Sequence, residues 1–363
     1  MKLQVTQENL ANALNTVARV ASTRGTLPIL ANVLVKTVDN RLSIAATNLD
    51  IAITHYIGTK VSEEGSITVP ARLMQDFITT LPSGVINLET ADNRLRITTD
   101  KYESTINGIT AEDFPVMPDI SKGQTWSIPA KTLKSGLQQV IVAASNDEAR
   151  PVLTGIYLHG HEGKLFAVST DSYRLAEKSL MTTKQDVNLL VPASAMQDLL
   201  RILGDNDDEV KVTHDDQQVL FKVGDVELVT RLIDGNYPDY RNLIPKDFAV
   251  SATLKRSELV NITKVSSLFA RESAGSVTIN VSSKDNQVSI RSIASQLGEN
   301  VSSATAEVRG EGSITLNSRY LLDALNVISG DMIELAFNGK LDPTILRDPK
   351  SPDYLHLVMP LKS

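Results

Sequence analysis

Cysteine is absent from the 363 residues, and aromatic residues make up only 4% of them. Without a thiol the chain cannot form a disulfide, an iron–sulfur cluster or a zinc–thiolate site, and it has no cysteine nucleophile. With one tryptophan, Trp126, the chain also lacks the alternation of basic and aromatic residues that stacks single-stranded bases. Thiol-based catalysis, disulfides and thiolate metal sites are therefore excluded, and single-strand nucleic-acid binding is disfavoured.

Long apolar runs are missing as well. No stretch approaches the roughly 18 residues expected of a membrane span, and the N-terminal residues lack the apolar core of a signal peptide. We therefore expect a cytoplasmic protein with no membrane partner. The formal net charge of −7 argues against a protein coated in positive charge, so any DNA-binding surface has to be local.

Catalytic signatures are equally scarce. The chain has no Gly-x-x-x-x-Gly-Lys phosphate loop, no Gly-x-Ser-x-Gly elbow and no His-Glu-x-x-His pair. His159-Gly160-His161 leads into the turn signature Glu162-Gly163, which favours a hairpin loop over a metal site. The acidic run at residues 205–209 lacks the glycine and distant glutamate of an EF-hand and is typical of a solvated turn. We predict no catalytic residue, no metal and no cofactor.

An internal repeat dominates the sequence. A strand-to-helix pattern at residues 67–78 recurs at 189–200 and, more weakly, at 314–325. The anchor positions Val69, Val191 and Leu316 stand about 120 residues apart, far more than the roughly 20 to 50 residues of a solenoid repeat. The spacing therefore indicates three similar domains, which we place at residues 1–120, 121–247 and 248–363.

Each repeat contains the same predicted elements. An amphipathic helix is expected near its start, at residues 6–21, 131–145 and 256–270, and a second one follows the repeated strand. Alternating apolar runs at residues 41–45, 164–168 and 287–291 supply strands, and residues 209–213 and 218–223 form a hairpin. The predicted fold class is α+β, with two helices packed on β-sheet in each domain.

Several stretches carry a resemblance to one family. They are Arg24-Gly25-Thr26-Leu27-Pro28-Ile29-Leu30, Asp113-Phe114-Pro115, Thr170-Asp171-Ser172-Tyr173-Arg174-Leu175-Ala176, Asp234-Gly235-Asn236-Tyr237-Pro238-Asp239-Tyr240 and Val358-Met359-Pro360-Leu361-Lys362. In this order the chain resembles the bacterial DNA polymerase III beta clamp over essentially its full length. The resemblance implies a DNA clamp fold that forms a dimeric ring, encircles duplex DNA without sequence preference, confers processivity in DNA replication and catalyses nothing.

The resemblance also implies a partner site. Partners would be the DNA polymerase III alpha subunit, an ATP-dependent clamp loader, repair polymerases and other replication factors, each docking a short apolar peptide. The matching pocket positions are Leu153, Thr170, Ser172, Tyr173, Arg174, Leu175, Pro238, Asn242, Leu243, Leu341, Pro343, Leu357, Met359, Pro360 and Leu361. Such a groove needs apolar walls, to which Arg174 and Tyr173 would add orienting hydrogen bonds. The chain departs from familiar members at Ser172, where glycine is common, at Asn242 and at Lys362-Ser363.

The implied ring makes two further predictions. Basic residues outnumber acidic ones on the predicted helices, which carry Arg19, Arg72, Lys131, Lys134, Arg201, Arg256, Lys264 and Arg319. From these helices and two loops we predict DNA contacts at Arg24, Arg72, Lys131, Lys134, Arg150, Arg201 and Lys264. The head-to-tail dimer interface is predicted at Phe77, Ile106, Leu268 and Phe269. Two alternatives stay open from the residues alone: a carboxylate hydrolase using Asp171 and Glu177 or the acidic run at residues 205–209, and a protein scaffold that never touches DNA.

Overall fold

The computed structural model describes residues 1–21, 27–118, 120, 123–205, 208–294 and 298–362. The chain divides into two compact units. Unit 1 contains Met1–Lys131 and Gln197–Leu232, and unit 2 contains Thr132–Met196 and Ile233–Ser363. These units differ from the three predicted domains because each unit has a sheet built from strands of two neighbouring repeats. The predicted boundaries at 120 and 247 therefore stay a prediction.

Six α-helices occur in the described part of the chain, as predicted. They are α1 Gln7–Val17, α2 Ala71–Thr80, α3 Ala130–Val140, α4 Ala193–Leu203, α5 Arg256–Phe269 and α6 Ser318–Val327. The Thr6 and Asn317 side chains cap α1 and α6 by accepting hydrogen bonds from backbone N–H groups of the first turn. The predicted helix at residues 6–21 was too long, since α1 ends at Val17. Arg19 therefore lies beyond the helix.

Groups of strands separate these helices along the chain. They are β1 Lys2–Thr6, β2 Asn32–Val38, β3 Arg41–Thr47, β4 Ile51–Gly58, β5 Lys60–Glu63, β6 Ser66–Pro70, β7 Val85–Ala91, β8 Arg94–Thr98, β9 Glu103–Asn107, β10 Gln124–Pro129, β11 Gly155–His161, β12 Lys164–Thr170, β13 Arg174–Thr182, β14 Asn188–Pro192, β15 Glu209–His214, β16 Gln218–Val223, β17 Val226–Arg231, β18 Val250–Lys255, β19 Ser276–Ser282, β20 Gln287–Ala294, β21 Gly298–Thr305, β22 Glu307–Arg309, β23 Gly312–Asn317, β24 Met332–Phe337, β25 Thr344–Asp348 and β26 Ser351–Val358.

Unit 1 holds two sheets. One has the strand order β5-β1-β7-β8-β9, and the other has the order β10-β15-β16-β17-β4-β3-β2-β6. All of the strand pairs are antiparallel, and the central pair joins β4 to β17 with Ile53 opposite Leu228. Both of these side chains are 1% exposed, so the join between the two repeats is part of the apolar core.

Unit 2 is built in the same way. Its larger sheet has the order β14-β11-β12-β13-β26-β25-β24-β18-β22, and its smaller one has the order β21-β20-β19-β23. The last strand of the chain, β26, pairs antiparallel with β13, which puts Leu357 opposite Leu175. This pairing brings the carboxyl-terminal residues to the end of β12.

The predicted repeat corresponds to a repeated strand-to-helix junction. Strands β6, β14 and β23 lead directly into α2, α4 and α6. The anchors Val69, Val191 and Leu316 are all fully buried, as are the residues five positions later, Met74, Met196 and Leu321. In each repeat, one residue at the end of the strand and one in the first turns of the helix are thus buried in the core. This shared packing explains why the same apolar pattern recurs in the three repeats.

The structure also bears on the predicted absence of a metal site and of a membrane span. The acidic run at 205–209 falls between the end of α4 and the start of β15, with Asn206 and Asp207 outside the described residues. Within the described ranges, no group of three or more His, Asp or Glu side chains could hold a metal ion. No helix in those ranges is long and apolar enough to cross a membrane.

Candidate functional site

The site centres on the turn that connects β12 to β13. Thr170 Oγ1 donates to the carbonyl of Arg174 at 2.7 Å and accepts from the backbone N–H of Ser172 at 3.1 Å. Asp171 Oδ1 accepts from the backbone N–H groups of Tyr173 and Arg174 at 2.9 and 3.0 Å. Short polar side chains thus satisfy the backbone of the turn, as Thr and Asp commonly do. The turn requires Ser172 at φ +76°, a left-handed conformation that favours glycine.

Arg174 is held inside this site by two carboxylates. Its Nε lies 3.1 Å from Asp171 Oδ2 and its Nη1 lies 2.6 Å from Asp323 Oδ2, while only 11% of its side chain is exposed. The guanidinium carbon sits 4.5 Å from the ring centre of Tyr320, at cation–π distance. The expectation that Arg174 orients a ligand was therefore incomplete, because these protein groups already engage the guanidinium. Sequence reasoning missed Asp323 and Tyr320, which lie about 150 residues away in the chain.

The carboxyl-terminal residues form a second wall. The backbone N–H of Met359 donates to the carbonyl of Tyr173 at 2.8 Å, and that of Leu361 donates to the carbonyl of Thr315 at 2.8 Å. Met359 also packs against a buried cluster that contains Leu175, Leu357, Val168, Ile345 and Tyr240. These contacts fix the path of the chain after β26, beside the start of β13.

A polar network attaches the segment at residues 237–243 to the same sheet. The Tyr240 hydroxyl donates to Glu177, and His159 Nε2 lies 2.8 Å from the Tyr240 oxygen. The guanidinium of Arg241 lies 3.2 Å from Glu177 and over the ring of Phe166. Tyr240 is 3% exposed, so its hydroxyl makes these bonds away from bulk water, where a hydrogen bond is electrostatically stronger than in solvent.

His159 corrects a prediction. The His159-Gly160-His161 stretch lies in strand β11, and only Glu162-Gly163 form the turn that was expected to start earlier. The His159 ring is stacked between Tyr157 and Phe166. Burial, assisted by the nearby charge of Arg241, lowers the pKa of His159 to about 4. The histidine is thus a neutral packing element of the core.

The predicted pocket residues all lie in unit 2, and the turn, β13 and the end of β26 bring seven of them into contact with one another or with one cluster: Thr170, Ser172, Tyr173, Arg174, Leu175, Leu357 and Met359. The others are Leu153, Pro238, Asn242, Leu243, Leu341, Pro343, Pro360 and Leu361. Three large apolar members are mostly exposed: Tyr173 at 58%, Leu243 at 51% and Leu341 at 68%. Exposed large apolar side chains are typical of a binding surface, and Tyr173 lies in the turn itself.

The predicted DNA contacts fall into several environments. Arg24 lies outside the described residues. Arg72, Lys131 and Lys264 are exposed on α2, α3 and α5, Lys134 is half-buried on α3, and Arg201 is ion-paired with Asp198 at 2.5 Å. Arg256 donates to the carbonyls of Gly330 and Leu325 and so caps α6, which removes it from the count of surface cations.

Arg150 is the unexpected case. Its Nη1 donates to Ser172 Oγ at 3.0 Å, and its Nε lies 3.2 Å from Asp147 Oδ2. The side chain remains 44% exposed. Arg150 thus contacts the turn of the predicted peptide pocket, a location that the sequence alone did not indicate; its predicted role in DNA binding stays a prediction.

The predicted interface residues differ in exposure. Leu268 is 52% exposed, Phe77 and Phe269 are half-buried, and Ile106 is only 6% exposed. The side chain of Ile106 is therefore buried in its own domain, and at this position a partner could contact only the backbone of β9. Strand β9 is an edge of the five-stranded sheet of unit 1, and β21 is an edge of the four-stranded sheet of unit 2. Both present the unpaired backbone groups that edge-to-edge association requires.

The two carboxylates of the hydrolase alternative have structural partners. Asp171 holds the turn and Arg174, whereas Glu177 accepts from Tyr240 and pairs with Arg241. Both take part in interactions that stabilise the fold, so this pair is not available as a catalytic acid and base. The other carboxylates of this alternative, at residues 205–209, lie partly outside the described residues.

Comparison with known proteins follows the same three-part division. Family models of the DNA polymerase III beta subunit match its N-terminal domain at residues 1–118, its central domain at 127–239 and its C-terminal domain at 241–362. The beta sliding clamps of Bacillus subtilis and Staphylococcus aureus are 30% and 29% identical to the chain, and each alignment covers all of both proteins. The crystal structure of the DNA polymerase sliding clamp from Bacillus subtilis has a TM-score of 0.95 at 29% identity, covering 100% of this chain and 99% of that one. That of the DNA polymerase III beta subunit from Pseudomonas aeruginosa has a TM-score of 0.95 at 25% identity and covers both chains fully.

Proposed function

The chain belongs to the DNA polymerase III beta subunit family and is a sliding clamp, a processivity factor rather than an enzyme, and we propose that it acts as a homodimeric ring around duplex DNA. In this proposal the groove beside the β12–β13 turn captures short apolar peptides from the DNA polymerase III alpha subunit, from an ATP-dependent clamp loader and from repair polymerases. The ring works in the cytoplasm.

One observation carries the peptide groove. Tyr173, Leu243 and Leu341 are mostly exposed in unit 2, which also holds the ion-paired Arg174 and the hydrogen-bonded strand end at Met359. A rigid polar turn beside exposed apolar side chains suits an apolar peptide, because little order has to be gained on binding. Both arginines have protein partners, but the side chain of Arg174 is only 11% exposed whereas that of Arg150 is 44% exposed, so we assign the hydrogen bonds that orient the peptide mainly to Arg150.

Weak contacts suffice on the DNA side. The exposed cations Arg72, Lys131 and Lys264 suit sequence-independent attraction to phosphates. A closed ring cannot leave DNA sideways, so these contacts do not have to be strong. A polymerase docked on the ring stays at millimolar effective concentration near the primer end, which converts a modest peptide affinity into long residence.

The decisive test removes the carboxyl-terminal wall. Deleting residues 359–363 eliminates the backbone bonds of Met359 and Leu361 and the packing of Met359, and so should abolish binding of a fluorescent Gln-Leu-x-Leu-Phe peptide. A matched control, Lys362→Ala, removes only an exposed side chain of the same segment and should bind normally. Sedimentation should give the same oligomer for all three proteins. Equal peptide affinity of the intact and deleted forms would place the partner site elsewhere.

The ring itself is tested on DNA. The protein should stay on nicked circular DNA after loading and run off when the circle is cut. Replacing Arg72 and Lys264 with glutamine should weaken retention equally on all sequences and flatten its dependence on salt. A loss confined to one sequence would indicate base recognition and contradict the proposal.

The dimer is tested separately. Leu268 is exposed, and Phe269 is half-buried beside it at the end of α5. Replacing both with alanine should give a monomer in sedimentation if the edge at β21 meets the edge at β9 of a second copy. An unchanged dimer would remove these two residues from the interface.

A further inference from the structure

The turn of the proposed peptide groove has a second copy in unit 1. It connects β3 to β4 and has the sequence Thr47-Asn48-Leu49-Asp50-Ile51. Thr47 Oγ1 donates to the carbonyl of Ile51 at 3.0 Å and accepts from the backbone N–H of Leu49 at 3.0 Å. Asn48 Oδ1 accepts from the next two N–H groups at 3.1 and 2.8 Å. Leu49 has φ +80°. Each of these features repeats the turn at residues 170–174.

The strand beside this turn is repeated too. Strand β17 pairs with β4 with Thr230 opposite Ile51, as β26 pairs with β13 with Val358 opposite Arg174. At the last residue of β17, the backbone N–H of Arg231 donates to the carbonyl of Asp50 at 3.2 Å, as that of Met359, just after β26, donates to the carbonyl of Tyr173. Arg231 therefore occupies in unit 1 the place that Met359 has in the proposed peptide groove.

A cavity of about 120 Å³ lies at this second turn. It is lined by the turn, by the end of β17 with Arg231, by Gln218, and by the segment that contains Pro115, Val116 and Pro118. Apolar cavities of about 150 Å³ hold a benzene molecule, so this one can accept a single aliphatic side chain. Val116 is 95% exposed and Leu49 48% exposed, which gives the cavity an apolar rim.

Two polar groups of the lining lack partners within the described part of the chain. The buried Oε1 of Gln218 accepts no hydrogen bond there. The exposed side chain of Arg231 forms no ion pair with the described residues, although its backbone is hydrogen-bonded on both sides. The oxygen of Gln218 is too deeply buried for a ligand to reach, but the unpaired guanidinium of Arg231 favours a carboxylate. Asp50 is the one acidic residue among the described residues that line the cavity.

We propose that this groove is a second peptide site of the clamp, which binds an extended acidic peptide with one aliphatic anchor. The anchor enters the cavity beside Leu49 and Val116, and an Asp or Glu side chain of the peptide pairs with Arg231. The site differs from the first in chemistry, because Ile51 replaces Arg174 and Arg231 replaces Met359. The guanidinium of Arg231 thus offers a partner for an acidic side chain at the place where the first groove offers the apolar Met359, while Asp50 on the opposite part of the turn sequence disfavours a second acidic side chain there. The inference rests on the proposed function, since the repeated turn has a meaning only if the first groove binds peptides.

The test is photo-cross-linking on the full-length protein. The probe is the peptide Gln-Leu-Asp-Leu-benzoylphenylalanine, and the cross-linked residues are located by mass spectrometry. Cross-links should appear at residues 170–175 and 357–361 at low peptide concentration, and at residues 47–52 and 115–118 as the concentration approaches about 1 mM, as expected of a small site. Replacing Asp with Lys in the peptide should reduce only the second set, by roughly tenfold for loss of one ion pair.

Variants of exposed residues separate the outcomes. Arg231→Gln combined with Val116→Ser should remove the second set and leave the first unchanged, whereas Lys60→Gln, which removes another exposed charge from unit 1, should change neither. Absence of the second set at 1 mM, or a second set that the double variant does not reduce, overturns the inference while the first set upholds the proposed function. Loss of the first set alone contradicts the proposed function instead. A second set that duplex DNA displaces would assign the groove to nucleic acid and likewise overturn the peptide site.

Discussion

Removal of one hydroxyl should loosen a wall of the proposed peptide groove. The Tyr240→Phe substitution keeps the ring that packs on Leu175 and Leu357 but deletes the oxygen that bonds Glu177 and His159. After the change, Glu177 retains only the guanidinium of Arg241, and the buried His159 nitrogen loses its partner. The segment at residues 237–243 would then be attached to the sheet mainly by apolar contact.

The size of the effect follows from the two bonds. A hydrogen bond to a charged acceptor contributes about 1.5–3 kcal/mol and a neutral one about 0.5–1.5 kcal/mol. Both are made by a residue that is 3% exposed, so water cannot easily replace the lost partner. We therefore expect local opening of this segment to become easier by about 3 kcal/mol, which is on the order of a hundredfold in its equilibrium constant.

Hydrogen exchange read by mass spectrometry measures this opening without unfolding the whole chain. The informative amides are those of Leu243 and Ile244, which donate to the carbonyls of Tyr240 and Arg241 at 2.9 and 3.2 Å. Their exchange should accelerate by about a hundredfold in Tyr240→Phe, and peptide affinity should fall with it because Leu243 is a predicted contact.

The matched control is Tyr157→Phe. Tyr157 stacks on His159 and Tyr237 at ring-centre distances of 4.6 and 4.8 Å, but no hydrogen bond of its hydroxyl is among those that hold the segment. Its removal should leave exchange at Leu243 within about threefold of the unmodified protein. If the two variants exchange at equal rates, the network around Tyr240 does not hold the segment and the reasoning is refuted.

Three further predictions concern the same unit. Ser172→Gly should relieve left-handed backbone strain of about 1 kcal/mol and so raise the melting temperature. The same change removes the hydrogen bond from Arg150, and a fall in melting temperature would show that this bond contributes more to stability than the strain costs. Asp323→Asn should destabilise unit 2 toward urea by about 3 kcal/mol, because it leaves Arg174 largely buried with one carboxylate; a change under 0.5 kcal/mol would mean that solvent already screens the pair. Because the pKa of His159 is lowered to about 4, the unfolded chain takes up a proton there near pH 6.5 that the folded chain resists. The contribution of His159 to stability should therefore fall by up to about 3 kcal/mol between pH 6.5 and pH 4, and His159→Gln should make the slope shallower by that amount while the slope from the buried His356 remains.

The sequence indicated the fold because its pattern is local. The repeated strand-to-helix junction places Val69, Val191 and Leu316 at the same depth in three cores, so the repetition is visible as residue identity. The α+β class, the six helices and the hairpins follow from that pattern. The end of α1 was predicted too late, because Arg19 continues a helix-like sequence in a segment where the chain already turns.

The site was less visible because its chemistry depends on distant pairs. Nothing near Arg174 in the sequence points to Asp323, and the contact between Arg150 and Ser172 depends on how two loops meet. The second groove escaped notice for a different reason. Turns of this kind need only a threonine and an Asp or Asn at their start, so Thr47-Asn48 and Thr170-Asp171 share a structure while the residues that follow differ.

The pairing of β13 with β26 sets an order on the synthesis of the chain. Strand β13 ends at Thr182, whereas β26, which pairs with it, begins at Ser351. At roughly 5 to 20 residues per second, the ribosome needs on the order of 10 to 30 s to synthesise the residues between the two strands. Meanwhile the edge of β13 is open to other nascent chains. Glu177 and Lys178 put two charges on this edge, and charges on an open edge oppose unwanted pairing. When β26 pairs with β13, Asp353 comes to 2.5 Å from Lys178. The lysine that opposes unwanted strand pairing during synthesis is therefore part of an ion pair in the folded protein.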